Sequence, residues 1–229
     1  MVAGLEGMLR NLKLYATERK GIKVGATRVS STPEGEWQAV GKVLSEKMVY
    51  TESILQTVGK IWCPSKGIVC KELGDNLFLL HFNEPKGAKR ALVEGPWMAG
   101  HSLVVLVPYD GNRALRELEF HHIPIWICVS NIPMGMMNKQ VAEIIGDDIG
   151  KFMDVDVEEN GTAVGCYLRV KVRIDIHESI LRGVTLLLGE GNKEKERVCP
   201  LEYEFLPKFC YSYGIIGHID KNCTIKEQT

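Results

Sequence analysis

The sequence has no excess of basic residues. It contains 28 lysines and arginines against 29 aspartates and glutamates, so its formal net charge is −1. A protein that holds nucleic acid through a basic field over its whole surface carries a clear positive charge, and this class of binder is therefore excluded. Any binding to phosphate groups must come from a local patch of basic side chains.

Long apolar runs are also absent. The longest, such as LVVLV at 103–107, have the length of a strand and are too short to span a bilayer. Glu6, Arg10 and Lys13 interrupt the apolar positions near the N-terminus, so we expect no signal peptide. The seven cysteines have no framework spacing, which fits reduced thiols. The sequence predicts an intracellular protein, in the nucleus or cytoplasm, with no membrane partner.

No enzyme motif is present. We find no Ser–His–Asp or Cys–His arrangement in a catalytic context, and no carboxylate pair that stands out as a general acid and base. The stretch GEGN at 189–192 lacks the third glycine and the following helix of a dinucleotide-binding loop. The sequence therefore predicts a non-enzymatic protein without a small-molecule substrate.

An alternation of strand and helix patterns is present from residue 37 to residue 110. Apolar periodicity predicts helices at 50–63 and 84–95 and strands at 37–45, 67–73, 77–82 and 101–109. The turn residues Gly74, Asp75 and Asn76 join the second and third strands as a hairpin. The resulting order, β-α-β-β-α-β, is the ferredoxin-like pattern that RNA-recognition motifs (RRMs) also use.

Residues 111–205 are predicted to form a second, β-rich α+β domain. Its patterns predict a helix at 138–151 and strands at 122–133, 152–158, 166–176, 184–189 and 197–205. We expect Asn138 to cap this helix. The helix is expected to turn one apolar face inward, with Val141, Ile144, Ile145 and Ile149. We find no repeat of solenoid period.

The stretch CYSYGIIGHIDKNC at 210–223 fits the spacing C-x2-Y-x4-H-x4-C. A zinc knuckle has C-x2-C-x4-H-x4-C, in which two thiolates, an imidazole and a third thiolate surround the ion. Cys210, His218 and Cys223 occupy three ligand positions, and Tyr213 occupies the fourth. Because a phenol is a poor zinc ligand beside a thiolate, zinc is either bound weakly by three ligands or not bound. The segment is a degenerate knuckle.

The chain also resembles a known family. The resemblance covers residues 37–223 and is most specific in the blocks GDNLFLLHF, GPW and LPKFC. The chain resembles the plant domain of unknown function that is found in LINE-type retrotransposon open reading frames and in host genes derived from them. In that family the domain is followed by a CCHC-type zinc knuckle. The resemblance implies nucleic-acid and zinc binding, as in a gag-like chaperone of an element's RNA. The chain departs from this family at Tyr213, and at Ile215, where many members carry a basic residue.

The best candidate for phosphate binding within the domains is the strand YLRVKVRID. Arg169, Lys171 and Arg173 stand at i, i+2 and i+4, so a strand places all three on one face. This stripe could follow a phosphate backbone. The alternative is that it is the solvated face of an amphipathic strand, paired with Glu202 and Glu204 on a neighbouring strand.

The third strand of the first domain is not expected to stack bases. One of its faces carries Leu77, Leu79 and His81, without an aromatic residue where RRMs stack bases. The other face, with Phe78 and Phe82, is expected in the core. We also expect the tryptophans Trp62, Trp97 and Trp126 in the core.

Two histidines, His121 and His122, open a predicted strand. They could bind a metal, but no cysteine or carboxylate accompanies them at ligand spacing. We therefore expect a surface pair at this place.

Together these patterns predict an α+β protein in four parts: a flexible leader (1–36), an RRM-like domain (37–110), a β-rich domain (111–205), and the degenerate knuckle with its tail (206–229). The predicted partner is single-stranded nucleic acid, RNA or DNA, with RNA as the expected kind. If the knuckle folds, we expect Tyr211, His218 and Lys221 to add contacts to the nucleic acid. The alternative is a protein-interaction or self-assembly module that has lost its affinity for nucleic acid.

Overall fold

The computed structural model describes residues 37–109, 111–189 and 195–223, together with Tyr15 and Lys20. The flexible leader predicted at 1–36 lies outside the described residues except at these two positions. The described chain is a mixed α+β fold with few helices, in which antiparallel strands form two five-stranded sheets. Both sheets belong to one compact unit, Glu36–Thr229.

The first sheet contains the four strands that the sequence predicts and one more. It comprises β1 (Trp37–Leu44), β2 (Ile68–Gly74), β3 (Leu77–Phe82), β4 (Trp97–Ala99) and β5 (Ser102–Pro108). The strands lie in the order β2-β3-β1-β5-β4, and each neighbouring pair is antiparallel. The patterns do not predict the short β4, which pairs with β5.

The helices of this part pack against one face of the sheet. They are α1 (Thr51–Ile54), a π-helical turn (Leu55–Gly59), α2 (Lys60–Trp62) and α3 (Pro85–Val93). Together with the helices, the strand residues Phe78, Leu80 and Phe82 form a buried cluster, as predicted for β3. Trp62 is fully buried in this cluster, and its ring centroid lies 5.7 Å from that of Trp97.

The second sheet follows the linker at 111–121. Its strands are β6 (His122–Ser130), β7 (Lys151–Val155), β8 (Tyr167–Asp175), β9 (Gly183–Leu188) and β10 (Lys195–Tyr203), in the order β7-β8-β6-β10-β9. The helix α4 (Lys139–Ile149) joins β6 to β7. The cap prediction is confirmed, because the Asn138 side chain accepts a hydrogen bond of 3.0 Å from the Val141 amide.

One prediction for α4 is wrong. Ile145 is buried, but the side chain of Ile144 is 70% exposed. Successive helical residues are rotated by about 100° from each other, so these two neighbours cannot both face the sheet. Val141, Ile145 and Ile149, spaced four apart, form the stripe that packs inward.

The two sheets share one strand order. Counted from the first strand of each sheet, both run 2-3-1-5-4, with a helix between strands one and two. Where the first sheet has α3 after its third strand, the second has only turns and loop at 176–182. The chain therefore contains two similar folds in tandem, a repeat that the sequence patterns do not reveal.

A large core joins the two sheets. Val40, Leu103 and Val105, on the face of the first sheet that points away from its helices, belong to the same buried cluster as Ile125 and Val170 of the second sheet. Leu118 and Phe120 of the linker are also buried there. The face on which an RRM would present bases is therefore largely used for internal packing.

Among the described residues, no helix has the length and apolar character needed to cross a membrane.

Candidate functional site

The segment 206–223 forms a compact turn structure that is part of the larger unit. Phe209 and Ile216 form an isolated antiparallel bridge, and the Cys210 amide donates to the Ile215 carbonyl at 2.8 Å. Gly214 and Gly217 have φ angles of 73° and 101°, in the left-handed region that favours glycine. The loop reverses direction at these two residues.

The three predicted ligands lie together. The donor atoms of Cys210, His218 and Cys223 are all within 4.8 Å of one another. Both cysteines are buried, and burial raises the pKa of the Cys210 thiol. The Nε2 atom of His218 is buried and has no hydrogen-bond partner among the described residues.

These residues fit a zinc ion. Two thiols and an imidazole are the donors that zinc prefers, and a buried imidazole nitrogen without a partner is costly unless something binds it. Only three such donors are clustered within the described ranges at this place. Tyr213, at the fourth position, is half-buried, and its backbone carbonyl accepts a hydrogen bond from the Ser179 hydroxyl.

Asp220 is a structural residue of this segment, and the sequence patterns do not reveal its role. Its carboxylate accepts hydrogen bonds from the amides of Tyr211 and Ser212, both at 2.9 Å, and from the Ser212 hydroxyl at 2.6 Å. The hydrogen bond from the Ser212 side chain is the largest cause that lowers the pKa of Asp220. Burial opposes it, but this bond and the two amide hydrogen bonds together keep the pKa below its usual value. Asp220 therefore fixes the turn that follows Cys210 without any metal.

The segment is anchored on both sheets. Ile216 is buried in the large core, and Leu44 of β1 lies next to Gly217. The Asn222 side-chain amide donates to Glu46 at 3.2 Å, and the Ile180 amide donates to the Gly214 carbonyl at 3.0 Å. The position of the segment on the protein is thus determined by packing as well as by its own turns.

An aromatic cleft lies on the outside of the segment. Tyr211 is 81% exposed, and its ring centroid lies 4.6 Å from that of Phe209. The cleft has a volume of about 340 Å³ and is lined by Leu206, Pro207, Lys208, Phe209, Tyr211 and Ile219. Lys221, also predicted to contact nucleic acid, is exposed on the same segment. The sequence patterns identify Tyr211 and Lys221 but not the cleft.

The predicted basic stripe lies on β8, but its first residue is engaged by acidic groups. The Arg169 guanidinium forms a bidentate ion pair with the Glu204 carboxylate, with Nε–Oε1 and Nη2–Oε2 distances of 2.6 and 2.8 Å. It also approaches Asp156 at 3.4 Å. The hydrogen bonds to Glu204 raise the pKa of Arg169, and the same bonds lower the pKa of Glu204.

The other two residues of the stripe differ in exposure. Lys171 is only 5% exposed, and burial is the main cause that lowers its pKa. Arg173 is half-buried at the end of the stripe. The stripe therefore presents less free positive charge than its sequence suggests, because Arg169 is paired and Lys171 is covered.

Trp126 does not lie in the apolar core, and this prediction is wrong. The Arg169 guanidinium carbon lies 4.0 Å from its ring centroid and the Lys171 ammonium 4.9 Å, so two cations pack on the indole. Trp126 is in register with Lys171 on the neighbouring strand. The apolar neighbours of Trp126 in the sequence point to the opposite face of β6.

Comparison with known proteins supports the coarser part of the resemblance. Residues 35–114 match the family described as "Domain of unknown function (DUF4283)". The chain is also similar to an uncharacterized protein of Arabidopsis thaliana, with 21% identity over 132 residues, which are 58% of this chain and 40% of that protein. The chain thus spans less than half the length of this relative. Together these matches support a plant domain of unknown function.

Proposed function

We propose that this protein binds single-stranded nucleic acid, with RNA as the expected ligand, through its C-terminal segment and without catalysis. The observation that carries the proposal is the exposed ring of Tyr211 beside Phe209, at the rim of the cleft that Lys208 and Ile219 help to line. A base that stacks on an exposed aromatic ring contributes about 1–3 kcal/mol, whatever its sequence. The cleft offers this contact in a position that packing and hydrogen bonds have already fixed.

Electrostatic attraction has a smaller part in this proposal. Lys208 and Lys221 are exposed near Tyr211, but the chain as a whole has a formal net charge of −1. Each phosphate neutralised on a single strand contributes a slope of about −0.7 in a plot of log affinity against log salt. We therefore expect a shallow dependence on salt. Among the stripe residues, Arg173 is the best placed to add a phosphate contact, since Arg169 is already paired with Glu204.

Zinc is part of the proposal. Cys210, His218 and Cys223 would hold the ion, and the ion would supply a cross-link between the two ends of the loop. Because Tyr213 replaces the second cysteine of a knuckle, we propose weak zinc binding. Asp220 and the two left-handed glycines keep Tyr211 in place in the absence of metal, so nucleic-acid affinity is expected to depend little on zinc.

We further propose that residues 37–108 are a ferredoxin-like, RRM-like fold of retrotransposon origin. The order β2-β3-β1-β5 and the helices on a single face support the fold. The match of residues 35–114 and the knuckle spacing at 210–223 support the origin. Since Val40, Leu103 and Val105 are buried, we do not propose that this sheet stacks bases. We propose that the protein acts in the nucleus or the cytoplasm.

A titration of a labelled single-stranded RNA, followed by fluorescence anisotropy, tests this proposal. We expect Tyr211→Ala to weaken binding by about 5- to 150-fold, the factor that corresponds to one stacked base. Tyr50→Ala is the matched control, because Tyr50 is also an exposed tyrosine, at 63%, but lies outside the cleft. The same titration with DNA of identical sequence tests the expectation that RNA is the ligand. No binding by the natural chain at low salt would refute the proposal.

Self-assembly is the second candidate function, and a different surface supports it. A groove of about 570 Å³ lies between α4 and β9, and it is lined in part by Ile144, 70% exposed, and Leu187, 60% exposed. In the described chain β9 is an edge strand of its sheet. An edge strand beside an apolar groove is suited to pair with the same edge of a second copy about a twofold axis.

Sedimentation velocity over a range of concentrations tests this second candidate. If the chain self-associates through this groove, Leu187→Glu should produce a monomer. Val164→Glu, at an exposed apolar residue (80%) that does not line the groove, should leave the association unchanged. A natural chain that stays monomeric at high concentration would eliminate self-assembly and would leave the nucleic-acid proposal intact.

A further inference from the structure

A second cluster of metal-binding side chains lies far along the chain from the knuckle segment, at the ends of two paired strands. Strand β6 begins at His122 and β8 ends at Asp175, and these two residues are directly opposite each other in the antiparallel pair. The pairing continues one step further, because the Ile176 amide donates to the His121 carbonyl at 2.8 Å. His121, which precedes β6, and His122, its first residue, are thereby brought beside Asp175 and His177.

The side chains of this cluster converge. Donor atoms of His121, Asp175 and His177 all lie within 4.8 Å of one another. The rings of His121 and His177 are edge to face, with centroids 4.6 Å apart. His122 approaches the same carboxylate from the other side, with its Nε2 atom 4.0 Å from Asp175 Oδ2.

The carboxylate is held in place by its neighbours. Asp175 Oδ1 accepts a hydrogen bond from the His177 amide at 2.8 Å and contacts His177 Nδ1 at 3.1 Å. These two contacts orient the carboxylate, while the exposed His177 ring can still change its rotamer.

We propose that His121, Asp175 and His177 form a surface site for a divalent transition-metal ion such as Zn²⁺. Two imidazoles and one carboxylate suit zinc, nickel or copper ions, whereas calcium and magnesium prefer sites made only of oxygen. A zinc ion with donors at about 2.0–2.1 Å leaves neighbouring donors about 3.3 Å apart, so small side-chain rotations of the exposed residues close the site. His122 would act as a hydrogen-bonding neighbour of the ligating carboxylate.

This ion would tie the start of β6, and with it the end of the linker, to the end of β8. The site needs neither the knuckle segment nor nucleic acid, so it is independent of the proposed function. Its donors come together only when β6 and β8 pair, and zinc would therefore stabilise the folded state and raise the melting temperature.

Equilibrium dialysis of the full chain against buffered Zn²⁺, with any affinity tag removed, tests the proposal. We expect His177→Ala to lose one bound ion per chain and His122→Ala to weaken binding at this site by about 10-fold. His101→Ala, at an exposed histidine outside the cluster, is the control and should keep the natural ion count. An unchanged ion count in His177→Ala would overturn the proposal.

Two further measurements separate this site from the knuckle segment and from misfolding. With Co²⁺ in place of Zn²⁺, Cys223→Ser should lose the near-ultraviolet absorption of bound thiolate and keep the second ion. In the natural chain, Zn²⁺ should shift the imidazole nitrogen resonances of His121 and His177. If those resonances do not move at saturating Zn²⁺, the proposal is wrong, whatever the variants show.

Discussion

At the scale of single residues, we expect the side chain at position 213 to decide how tightly the C-terminal segment can hold zinc. Cys210, His218 and Cys223 already cluster, so restoring a thiolate at the fourth position should complete a tetrahedral site. We expect Tyr213→Cys to tighten zinc binding by more than the 10- to 100-fold that changes outside the ligand set typically cause. Competition with a chromophoric chelator measures the affinity.

Tyr211→Cys is the control for this experiment, since it adds a thiol two residues away from the ligand position. Equal zinc affinities for the natural chain and Tyr213→Cys would show that the phenol already serves as a ligand, or that the loop cannot close on an ion.

The ion pair between Arg169 and Glu204 gives a second prediction at this scale. We expect Glu204→Gln to lower the free energy of unfolding at pH 7 by about 1–2 kcal/mol, because the half-buried guanidinium loses a charged partner. The pKa of Glu204 is lower in the folded state than its unfolded value of about 4.3. The stabilisation is therefore complete above that pH and disappears as the pH falls through the folded pKa.

Urea denaturation at pH 7 and at pH 3 measures this effect. The difference between Glu204→Gln and the natural chain should shrink at the lower pH. Glu202→Gln, which changes an exposed carboxylate of β10 two residues before Glu204, should have little effect at either pH. A cost that does not change with pH would contradict a charge-based role for Glu204.

Single residues also show where reasoning from the sequence reaches its limit. Cys210, His218 and Cys223 are recognisable because their spacing along the chain is local. Asp175 and His177 are not, because only the register of β6 against β8 brings them to His121. Trp126 is misassigned for a similar reason, since the cations that cover it come from the neighbouring strand β8.

At the scale of secondary-structure elements, α3 packs closely against the C-terminal end of α2 at Gly87. A Cβ atom on Gly87 of α3 would lie 2.1 Å from the Cys63 sulfur and 2.8 Å from the Trp62 carbonyl oxygen. Alanine in a helix is favoured over glycine by about 1 kcal/mol, but overpacking typically costs about 1–3 kcal/mol, and here backbone atoms must also move. We expect Gly87→Ala to be destabilising overall, by about 1–2 kcal/mol.

Guanidinium denaturation measures this loss, with Gly135→Ala as the control, because a Cβ atom there meets nothing within 4 Å. If Gly87→Ala were as stable as the natural chain, α3 would have to be free to move away from α2.

Most elements follow from apolar periodicity, and the exceptions have physical causes. The strand predicted at 77–82 and the helix predicted at 138–151 agree closely with the bounds of β3 and α4. The buried residues of β3 alternate with period two, and the helix is marked by its Asn138 cap. The helix predicted at 50–63 is interrupted by a π-helical turn, where the Thr57 hydroxyl donates to the Ser53 carbonyl at 2.6 Å. Side-chain bonds to the helix backbone of this kind are not visible in a hydrophobic pattern.

At the scale of the whole molecule, the compact unit is larger than the family match. Residues 35–114 match the domain family, yet the tandem sheets share one core. The repeated strand order explains this arrangement, because each sheet covers one face with helices or loops and needs the other sheet to cover the second face. Sequence patterns describe each sheet separately and carry no signal for which faces meet.

This shared core predicts that a fragment of residues 35–114 does not behave as an independent monomer. In the fragment Val40, Leu103 and Val105 would become exposed. Each exposed side chain would give up about 1.5–3 kcal/mol of favourable burial free energy. We expect the fragment to self-associate and to bind the dye ANS, as measured by sedimentation and fluorescence, while the full chain does neither to the same extent.

A pair of double variants makes this test specific to one face of the sheet. In the fragment, Val40→Thr with Val105→Thr should reduce association, since both residues face the missing second sheet. Val43→Thr with Val104→Thr should instead unfold the fragment, because these residues pack against the helices. A fragment that is monomeric, free of bound dye and as stable as the full chain would show that the shared core is not needed for folding. The domain family would then be the physical unit, and the second sheet would be an addition to it.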